Sequence, residues 1–270
     1  MPDLTVSSGD VTLSGEVAGE GTPVVLLHGL TATRRYVVMG SRMLERGGHR
    51  VIAYDARGHG RSAPAPSADA YGYEHLCADL GAVLDAAEVQ RAVLAGASMG
   101  AHTLLRFALE QPARVAAVAV VTPAYDPDGF DRDFDRWDRL AEGLCTGGVD
   151  GFVEAYGVES APEAWRATIE RVLRQRLAAH EHPEAVADAL RAVPRSRPFA
   201  SWSDLAALDV PTVVVASRDE ADPGHPLAVG EKYAEAIPGA RLVTEEEGKS
   251  PLAWQGGQLS RVIAEVAAAA

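Results

Sequence analysis

Short, unbroken apolar runs recur along the chain and alternate with segments of helical periodicity. Runs without polar residues at alternate positions are typical of strands buried on both faces of a parallel sheet. Between the runs, the spacing of apolar residues predicts amphipathic helices, and strand followed by helix, repeated, predicts an α/β fold. The predicted strands cover 24–27, 50–54, 92–95, 115–121, 213–215 and 241–243, and the predicted helices cover 36–47, 73–88 and 99–111.

Two segments depart from this rhythm. Residues 4–17 alternate apolar and polar positions, which predicts a hairpin at the sheet edge. From 124 to 200 no strand pattern is convincing, helical patterns with aromatic residues take over, and prolines stand near both ends. An insertion of this length predicts a subdomain of its own. The sequence therefore predicts a helical cap at 124–200, inserted into an α/β core formed by 1–123 and 201–270.

Composition narrows the classes of partner. The chain has 270 residues, of which 47% are hydrophobic and 23% charged, as in an ordinary globular protein with a sizeable core. A formal net charge of −13 repels nucleic acid and anionic membranes, so we expect a small-molecule partner and neither of those surfaces. The pattern at Met1–Asp3 does not resemble a signal peptide, and no apolar stretch is long enough to span a bilayer, so a cytoplasmic protein is expected.

The two cysteines, Cys77 and Cys145, lack the spacing of metal ligands. We therefore expect no metal site, and two free, buried thiols. Nothing in the pattern indicates an oligomeric state.

The residues Gly96-Ala97-Ser98-Met99-Gly100 match G-x-S-x-G. They follow the predicted strand 92–95 and open the predicted helix 99–111, which is the context of a nucleophile elbow. Such a turn lifts the Ser98 hydroxyl clear of the sheet and directs the Met99 amide to the place where an oxyanion would form. A glycine-rich turn with an idle serine is the alternative. The elbow predicts a positive or nearly positive φ at Ser98.

Two further motifs follow predicted strands: His28-Gly29-Leu30 after 24–27, and Asp55-Ala56-Arg57-Gly58-His59-Gly60-Arg61-Ser62 after 50–54. With the elbow, in this order and at this spacing, they resemble the α/β-hydrolase superfamily. The resemblance implies a mostly parallel eight-stranded sheet flanked by helices, a helical cap inserted after the sixth strand, and no cofactor. It implies amides of Leu30 and Met99 as oxyanion donors, His28 as a structural part of its turn, and the 55–62 loop as a fold marker.

The acid of the family lies after the seventh strand, in a G-x-x-D-x-x-x-P pattern. Residues 216–223 fit that pattern with Ala216 in the glycine position, so the resemblance assigns the acid to Asp219. Glu220 and Asp222 lie in the same loop and compete with it. A helix-capping role for Asp219 is also open.

The family's histidine follows the last strand, and here the chain departs from the pattern. Lys249 stands at that place, within 247–252, and no histidine follows His225. At its ordinary pKa of about 10.4 a lysine is protonated and cannot act as base. We expect a Lys249–Asp219 ion pair that points toward the Ser98 pocket. The alternative bases are His225, beyond the seventh strand; His102, one helical turn after Ser98; and His180 or His182, in the cap.

Arg34 and Arg35 follow the His28-Gly29-Leu30 turn. They are candidates for binding an anionic substrate group at the pocket mouth, and a solvated helix start explains them equally well.

These features together predict a cofactor-free serine hydrolase of a small ester, lactone, thioester or related acyl substrate, with an atypical or impaired triad. The catalytic candidates are Ser98, Asp219 and Lys249, and the further candidates are His225, His28 and Arg35. Two other classes remain open: a non-catalytic relative that binds a ligand in the same pocket, and a lyase-type relative. Labelling of Ser98 by a fluorophosphonate would separate an activated serine from a binding pocket.

Overall fold

The structure is a computed structural model, and it describes residues 3–129, 134–218 and 221–270. Eight strands form one sheet with the order β1-β2-β4-β3-β5-β6-β7-β8. Strands β3 to β8 run parallel, while β1 and β2 are antiparallel to their neighbours. The strands are β1 (Asp3–Ser8), β2 (Val11–Ala18), β3 (Thr22–Leu27), β4 (His49–Tyr54), β5 (Ala92–Ala97), β6 (Val115–Val121), β7 (Thr212–Val215) and β8 (Arg241–Val243).

Each apolar run predicted as a strand is a strand, and the alternating segment 4–17 is the edge hairpin of β1 and β2. The apolar runs agree so well because the strands in the middle of the sheet are buried on both faces. All residues of β6 except Ala116 are buried, and so is all of β7. No polar residue is tolerated at such positions without a partner, so the sequence shows these strands as continuous runs.

The helices are α1 (Met43–Arg46), α2 (Tyr73–Ala86), α3 (Met99–Glu110), α4 (Phe134–Tyr156), α5 (Glu163–Leu177), α6 (Pro183–Ala192), α7 (Leu227–Ala236) and α8 (Gly256–Ala267). Helices α2 and α3 match their predicted ranges closely. The predicted helix at 36–47 is wrong. Positive φ angles at Met39 (48°) and Gly40 (71°) break the segment, and only α1 remains helical, after a short 3-10 turn at Arg34–Tyr36.

Helices cover both faces of the sheet. On one face, α2, α3 and α7 pack through residues such as Leu80, Leu104 and Tyr233. On the other face, α1 and α8 pack through Leu44 and Ile263. This arrangement leaves the carboxyl ends of the parallel strands, with the loops that follow them, as the edge where a site can form.

A helical cap follows β6. Helices α4, α5 and α6 lie between β6 and β7 and share an apolar cluster that includes Leu140, Phe152, Leu173 and Leu190. Helix α4 is kinked at Gly148, where φ is 59°. Cys77 is buried as expected, but the expectation for Cys145 is wrong, because this residue is exposed on α4. No helix among the described residues is long and apolar enough to cross a membrane.

Candidate active site

Ser98 lies at a sharp turn between β5 and α3. Its backbone angles are φ 50° and ψ −113°, as the elbow predicts, in a region that non-glycine residues rarely adopt. Its N–H donates to Val121 O of β6 at 2.9 Å, and its carbonyl accepts from His102 N at 3.0 Å. The strained turn is therefore held at both ends by backbone hydrogen bonds.

The two glycines of the elbow are required by close backbone approach. A Cβ on Gly96 would lie 2.4 Å from the carbonyl carbon of Gly100. A Cβ on Gly100 would lie 2.2 Å from Leu27 O of β3. Real side chains do not tolerate either distance, so β5 can turn into α3 only with glycine at 96, and the start of α3 can pass this close to β3 only with glycine at 100.

The turn after β3 lies beside Ser98. A Cβ on Gly29 would lie 3.4 Å from Ser98 Cβ, so the backbone leading to Leu30 passes the nucleophile at close range. Among the described residues, no protein acceptor takes the amide N–H of Leu30 or of Met99. Two amides without protein acceptors beside a serine hydroxyl are what an oxyanion site needs.

His28 holds this turn in place. Its Nε2 accepts from Ala56 N at 2.9 Å, so the proton is on Nδ1, which donates to Gly29 O at 2.8 Å. Burial lowers the pKa of His28 to about 4, and Asp55 opposes this shift only in part. A neutral ring with both nitrogens engaged fits the structural part that the sequence analysis gives it.

The 55–62 loop is likewise a structural element. Arg57 donates from Nε and Nη2 to both carboxylate oxygens of Asp79 on α2, at 2.8 and 2.7 Å. Asp55 accepts from Arg34 N at 2.8 Å and also pairs with the Arg34 guanidinium. These charged contacts hold the loop against α2 and against the turn after β3. They also hold the Arg34 side chain at Asp55, and Arg34 does not line the Ser98 pocket.

His225 is the histidine whose side chain contacts Ser98. Its Nε2 lies 3.0 Å from Ser98 Oγ, and its Nδ1 lies 2.8 Å from Asp222 Oδ1. The three side chains thus form the chain serine–imidazole–carboxylate. In that arrangement the carboxylate holds the proton of the ring on Nδ1 and leaves Nε2 free to accept the serine proton.

Asp222 and His225 belong to one tight turn. The sequence Asp222-Pro223-Gly224-His225 closes with a hydrogen bond from His225 N to Asp222 O at 3.1 Å. Such a turn brings its first and fourth residues together, and proline with glycine in the middle is typical of it. The signal that the sequence analysis did not weigh is therefore D-P-G-H, in the loop between β7 and α7.

Opposing effects set the charge of Asp222. Its burial would raise the pKa of the carboxyl group, but the His225 charge, the hydrogen bond from His225 and the Arg176 guanidinium outweigh it. The net effect lowers the pKa of Asp222 below its ordinary value. The carboxylate is therefore ionised at neutral pH and able to orient the imidazole.

A pocket of about 470 Å³ opens above Ser98, within the range of small-molecule sites. Its floor is formed by Ser98, the turn after β3 and the Asp222–His225 turn. Its walls come largely from α4 and α5 of the cap and are mostly apolar, with Trp137, Leu140 and Phe152 among them. The cap aromatics therefore serve both the cap core and the pocket wall.

Backbone strain is concentrated in this pocket. Five non-glycine residues of the described chain have positive φ, and four of them line the pocket: Thr31 (65°), Met39 (48°), Ser98 (50°) and Thr122 (43°). Strained backbone persists where the surrounding structure holds it, and it clusters at functional sites. The distribution marks the same pocket as the side-chain geometry does.

Comparison with known proteins agrees with this architecture. The family model described as alpha/beta hydrolase fold matches residues 22–255. The chain belongs to the α/β-hydrolase fold family. A relative from Variovorax paradoxus, named RutD for a proposed carbamate hydrolase activity, is 34% identical over 204 residues, which are 75% of each chain.

Solved structures of other hydrolases are similar to this member of the family. A hydrolase from Pseudomonas aeruginosa is 26% identical, with a TM-score of 0.71 over 90% of this chain and 89% of that one. The enol-lactonase from Burkholderia xenovorans LB400 has a TM-score of 0.76 over 97% of this chain and 98% of that one. At 21% identity the second likeness shows the fold alone.

The expectation for Lys249 is wrong in its placement. The residue is exposed, does not line the Ser98 pocket, and its side chain forms no ion pair with any described residue. The reason is local: Lys249 N closes a turn onto Glu246 O at 3.0 Å, within an exposed stretch after β8. The side chain at the position that the family gives to histidine therefore does not line the Ser98 pocket. The expected partner, Asp219, lies outside the described residues.

Glu245 explains how the base-bearing loop is fixed instead. This buried carboxylate accepts from Arg218 N at 2.6 Å and from Leu252 N at 3.3 Å. It joins the loops after β7 and β8 just before the segment that carries Asp222 and His225. A buried charge used in this way needs several donors, and backbone amides supply them.

The other candidates lie elsewhere. Arg35 is exposed on the side of a separate surface depression and does not line the Ser98 pocket, so the expected role at the pocket mouth is wrong. His102 accepts from Ala124 N and Tyr125 N, both at 3.1 Å, and so holds the start of the cap segment. His180 joins the cap to the turn after β3 through a hydrogen bond to Thr31 O at 3.0 Å. Both have structural partners, which leaves His225 as the imidazole at Ser98.

Proposed function

We propose that this α/β hydrolase is a cofactor-free serine hydrolase in which Ser98 is the nucleophile, His225 the base and Asp222 the orienting acid. The observation that carries the proposal is the continuous contact from Ser98 Oγ to His225 Nε2 and from His225 Nδ1 to Asp222 Oδ1. Asp222 thus takes the role of the acid, which the sequence assigns to Asp219. His225 takes the role of the base, at whose usual position the sequence has Lys249.

The first half of the reaction forms an acyl-enzyme. His225 Nε2 takes the proton of Ser98 Oγ as the oxygen attacks the carbonyl carbon of the substrate, and Asp222 stabilises the imidazolium. The carbonyl oxygen becomes an oxyanion and accepts from the amides of Leu30 and Met99. When the tetrahedral intermediate collapses, the imidazolium gives its proton to the leaving oxygen, nitrogen or sulfur.

The second half releases the acid. A water molecule gives its proton to His225 Nε2 and attacks the acyl carbon, and the same two amides stabilise the second oxyanion. The intermediate then expels Ser98 Oγ, which recovers its proton from the imidazolium. The cycle needs only the three side chains, two amides and water.

The pocket favours a small acyl substrate. A volume of about 470 Å³ with an apolar wall fits an ester, lactone, thioester or carbamate of modest size. The RutD relative, named for a proposed carbamate hydrolase activity, supports a carbonyl substrate with a heteroatom leaving group. The proposal extends to that class and does not choose a member of it.

Labelling with a fluorophosphonate tests the proposal, because only an activated serine displaces fluoride from such a probe. We expect rapid labelling of the wild type at pH 7.5 and none of Ser98→Ala. Cys145→Ser, which removes an exposed thiol outside the pocket, is a matched control and should be labelled as the wild type is. Wild type that stays unlabelled from pH 6 to 10 would favour the non-catalytic, ligand-binding alternative.

A further inference from the structure

Arg176, on α5 of the cap, brings a cation into the same pocket. It lines the pocket together with Ser98, Asp222 and His225. Its Nη2 donates to Leu30 O at 2.7 Å and to Thr31 Oγ1 at 2.9 Å. Arg176 is half-buried and its Nε is fully buried, so a guanidinium that faces a substrate cavity in this way requires an explanation, since burial of charge is costly.

The charge of Arg176 has no carboxylate partner within salt-bridge distance among the described residues. Neither the buried Nε nor Nη1 has a hydrogen-bond partner among the described residues. A guanidinium has five N–H donors in a planar fork, and here both donors of Nη2 are used. The one donor of Nε and the two donors of Nη1 are thus left without acceptors in the described part of the chain.

The lack of a carboxylate partner for Arg176 is unusual in such an acidic chain. Its formal net charge is −13, and arginines elsewhere in it, such as Arg57 and Arg195, bind carboxylates in pairs of hydrogen bonds. Asp222 is the only carboxylate among the described residues that line the pocket, and its Oδ1 holds His225. Burial lowers the pKa of Arg176, while Asp222, Tyr156 and Tyr36 oppose that effect. A guanidinium keeps its proton at neutral pH even so.

A second cation reaches the cavity from α4. Arg136 lines it with its guanidinium carbon 5.7 Å from the centre of the Tyr156 ring and 5.9 Å from that of Trp137. It forms no ion pair with a described residue. Aromatic faces hold a cation without neutralising it. The cap wall therefore carries two positive charges that no described carboxylate within salt-bridge reach offsets.

We propose that the natural substrate carries a carboxylate, or a group of the same charge and shape, which Arg176 binds with assistance from Arg136 while Ser98 attacks a carbonyl elsewhere on the molecule. This inference rests on the proposed function for the reaction, and it adds the chemical class of the substrate. A carboxylate accepts charge-assisted N–H bonds from a guanidinium, here from the unused Nη1, and such bonds are strong in an apolar pocket. Neutral esters fill the cavity but bring no negative charge to Arg176.

Matched ester pairs test the inference. Monomethyl and dimethyl esters of succinate, glutarate and adipate differ in one negative charge and vary the span between carbonyl and carboxylate. We expect kcat/KM of at least one monomethyl ester to exceed that of its dimethyl counterpart by at least about tenfold, as a charge-assisted bond predicts. Methanol release is the readout. Dimethyl esters hydrolysed as well as, or better than, every monomethyl ester would overturn the inference.

Variants assign the preference to the residue. Arg176→Met should reduce the ratio of the two kcat/KM values at least about tenfold. Arg171→Met, an exposed arginine on the same helix, should leave the ratio as in the wild type. Equal loss on both esters in Arg176→Met would contradict substrate binding and make Arg176 a positioning residue for Leu30 and Thr31. Should Arg176→Met fail to fold, Arg176→Lys is measured instead and is expected to retain only part of the preference.

Binding to Ser98→Ala separates this inference from the proposed function. By calorimetry, the variant should bind the preferred monomethyl ester at least about tenfold more tightly than its dimethyl counterpart. If wild type hydrolyses no ester and resists the fluorophosphonate but this binding preference is present, the reaction fails and the carboxylate site stands. If wild type is labelled and the preference is missing, the reaction stands and the carboxylate site fails.

Discussion

At the scale of the residue, one tight turn supplies both the proposed acid, Asp222, and the proposed base, His225. The Asp222–His225 contact of 2.8 Å is set by four successive residues, so it does not depend on how two distant loops pack. The imidazole then needs only one long-range contact, that of 3.0 Å to Ser98 Oγ. An acid and base held this way form a preorganised pair, because little freedom is lost when substrate binds.

Replacing Asp222 tests the orienting role. Asp222→Asn should lower kcat on an activated ester by about 10²- to 10⁴-fold with little change in KM, because the amide can favour the wrong tautomer of His225. Steady-state kinetics on a p-nitrophenyl ester measure this.

Asp219→Asn is the matched comparison for Asp222→Asn, since it removes the carboxylate that the family pattern assigns. Its kcat should remain within about threefold of the wild type, because Asp222 already supplies a carboxylate to His225. The reverse order of the two variants would restore Asp219 as the acid.

The proposed nucleophile, Ser98, was predictable from sequence, whereas the proposed base, His225, was only one of several alternatives there. The elbow has a local cause, since strand, turn and helix together require glycines at Gly96 and Gly100, and such local rules are visible in one sequence. The base follows from which loop reaches Ser98 in space. A family pattern pointed to Lys249, while the D-P-G-H turn carried no weight without the knowledge that it ends beside Ser98.

At the scale of the element, the junction of β5 and α3 passes β3 at backbone contact. The same junction positions Ser98, aims the Met99 amide and sets the distance to the turn after β3. Strand prediction from apolar runs succeeded here because burial on both faces leaves a clear pattern. The predicted helix at 36–47 is wrong, although its apolar spacing is typical of a helix. Positive φ angles at Met39 and Gly40 turn the backbone there.

Gly100→Ala tests the backbone contact. A methyl group there would lie 2.2 Å from Leu27 O, so the junction must shift or the protein must lose stability. We expect a loss of about 2 kcal/mol or more in the free energy of unfolding, together with loss of esterase activity. Urea denaturation and ester hydrolysis measure the two effects.

Gly147→Ala on α4 is the control for Gly100→Ala. A Cβ at Gly147 would meet nothing within 4 Å. Because alanine is the better helix former, this variant should be neutral or stabilised by up to about 1 kcal/mol, with full activity. Equal effects of the two substitutions would mean that the contact with β3 does not limit the elbow.

At the scale of the whole molecule, two buried histidines hold connecting segments in place. His28 holds the turn after β3 and His102 holds the start of the cap segment, and each does so as a neutral imidazole. Burial lowers the pKa of His28 to about 4 and that of His102 to about 3. His102 accepts two backbone N–H bonds at the start of the cap segment, and protonation would end both.

The division into core and cap at 124 and 200 remains a prediction, since helices alone do not fix where a folding unit ends.

Acid should therefore destabilise the protein. The unfolded chain protonates these histidines near pH 6.5, whereas the folded protein resists until about pH 4 or below, so stability is full above pH 6.5 and falls as pH decreases. Asp222, whose pKa is lowered, acts in the same direction at lower pH. Each buried histidine should cost about 2 to 3 kcal/mol between pH 6.5 and 4.5.

Urea denaturation across that pH range measures the effect. His102→Gln keeps an acceptor but cannot be protonated, so its stability should fall less steeply with acid than that of the wild type. His182→Gln, a more exposed histidine at the edge of the cap, should leave the slope unchanged. A slope in His102→Gln equal to that of the wild type would show that this imidazole is not protonated on unfolding.

The central claim is that His225, and not Lys249, activates Ser98. The most direct measurement is kcat/KM on an activated ester for wild type, His225→Gln and Lys249→Ala at pH 7.5, with folding checked by circular dichroism. We predict a loss of at least about 10³-fold in His225→Gln, as for removal of a triad base, and a value within about twofold of the wild type in Lys249→Ala. Activity that survives in His225→Gln, or that disappears in Lys249→Ala, would contradict the account.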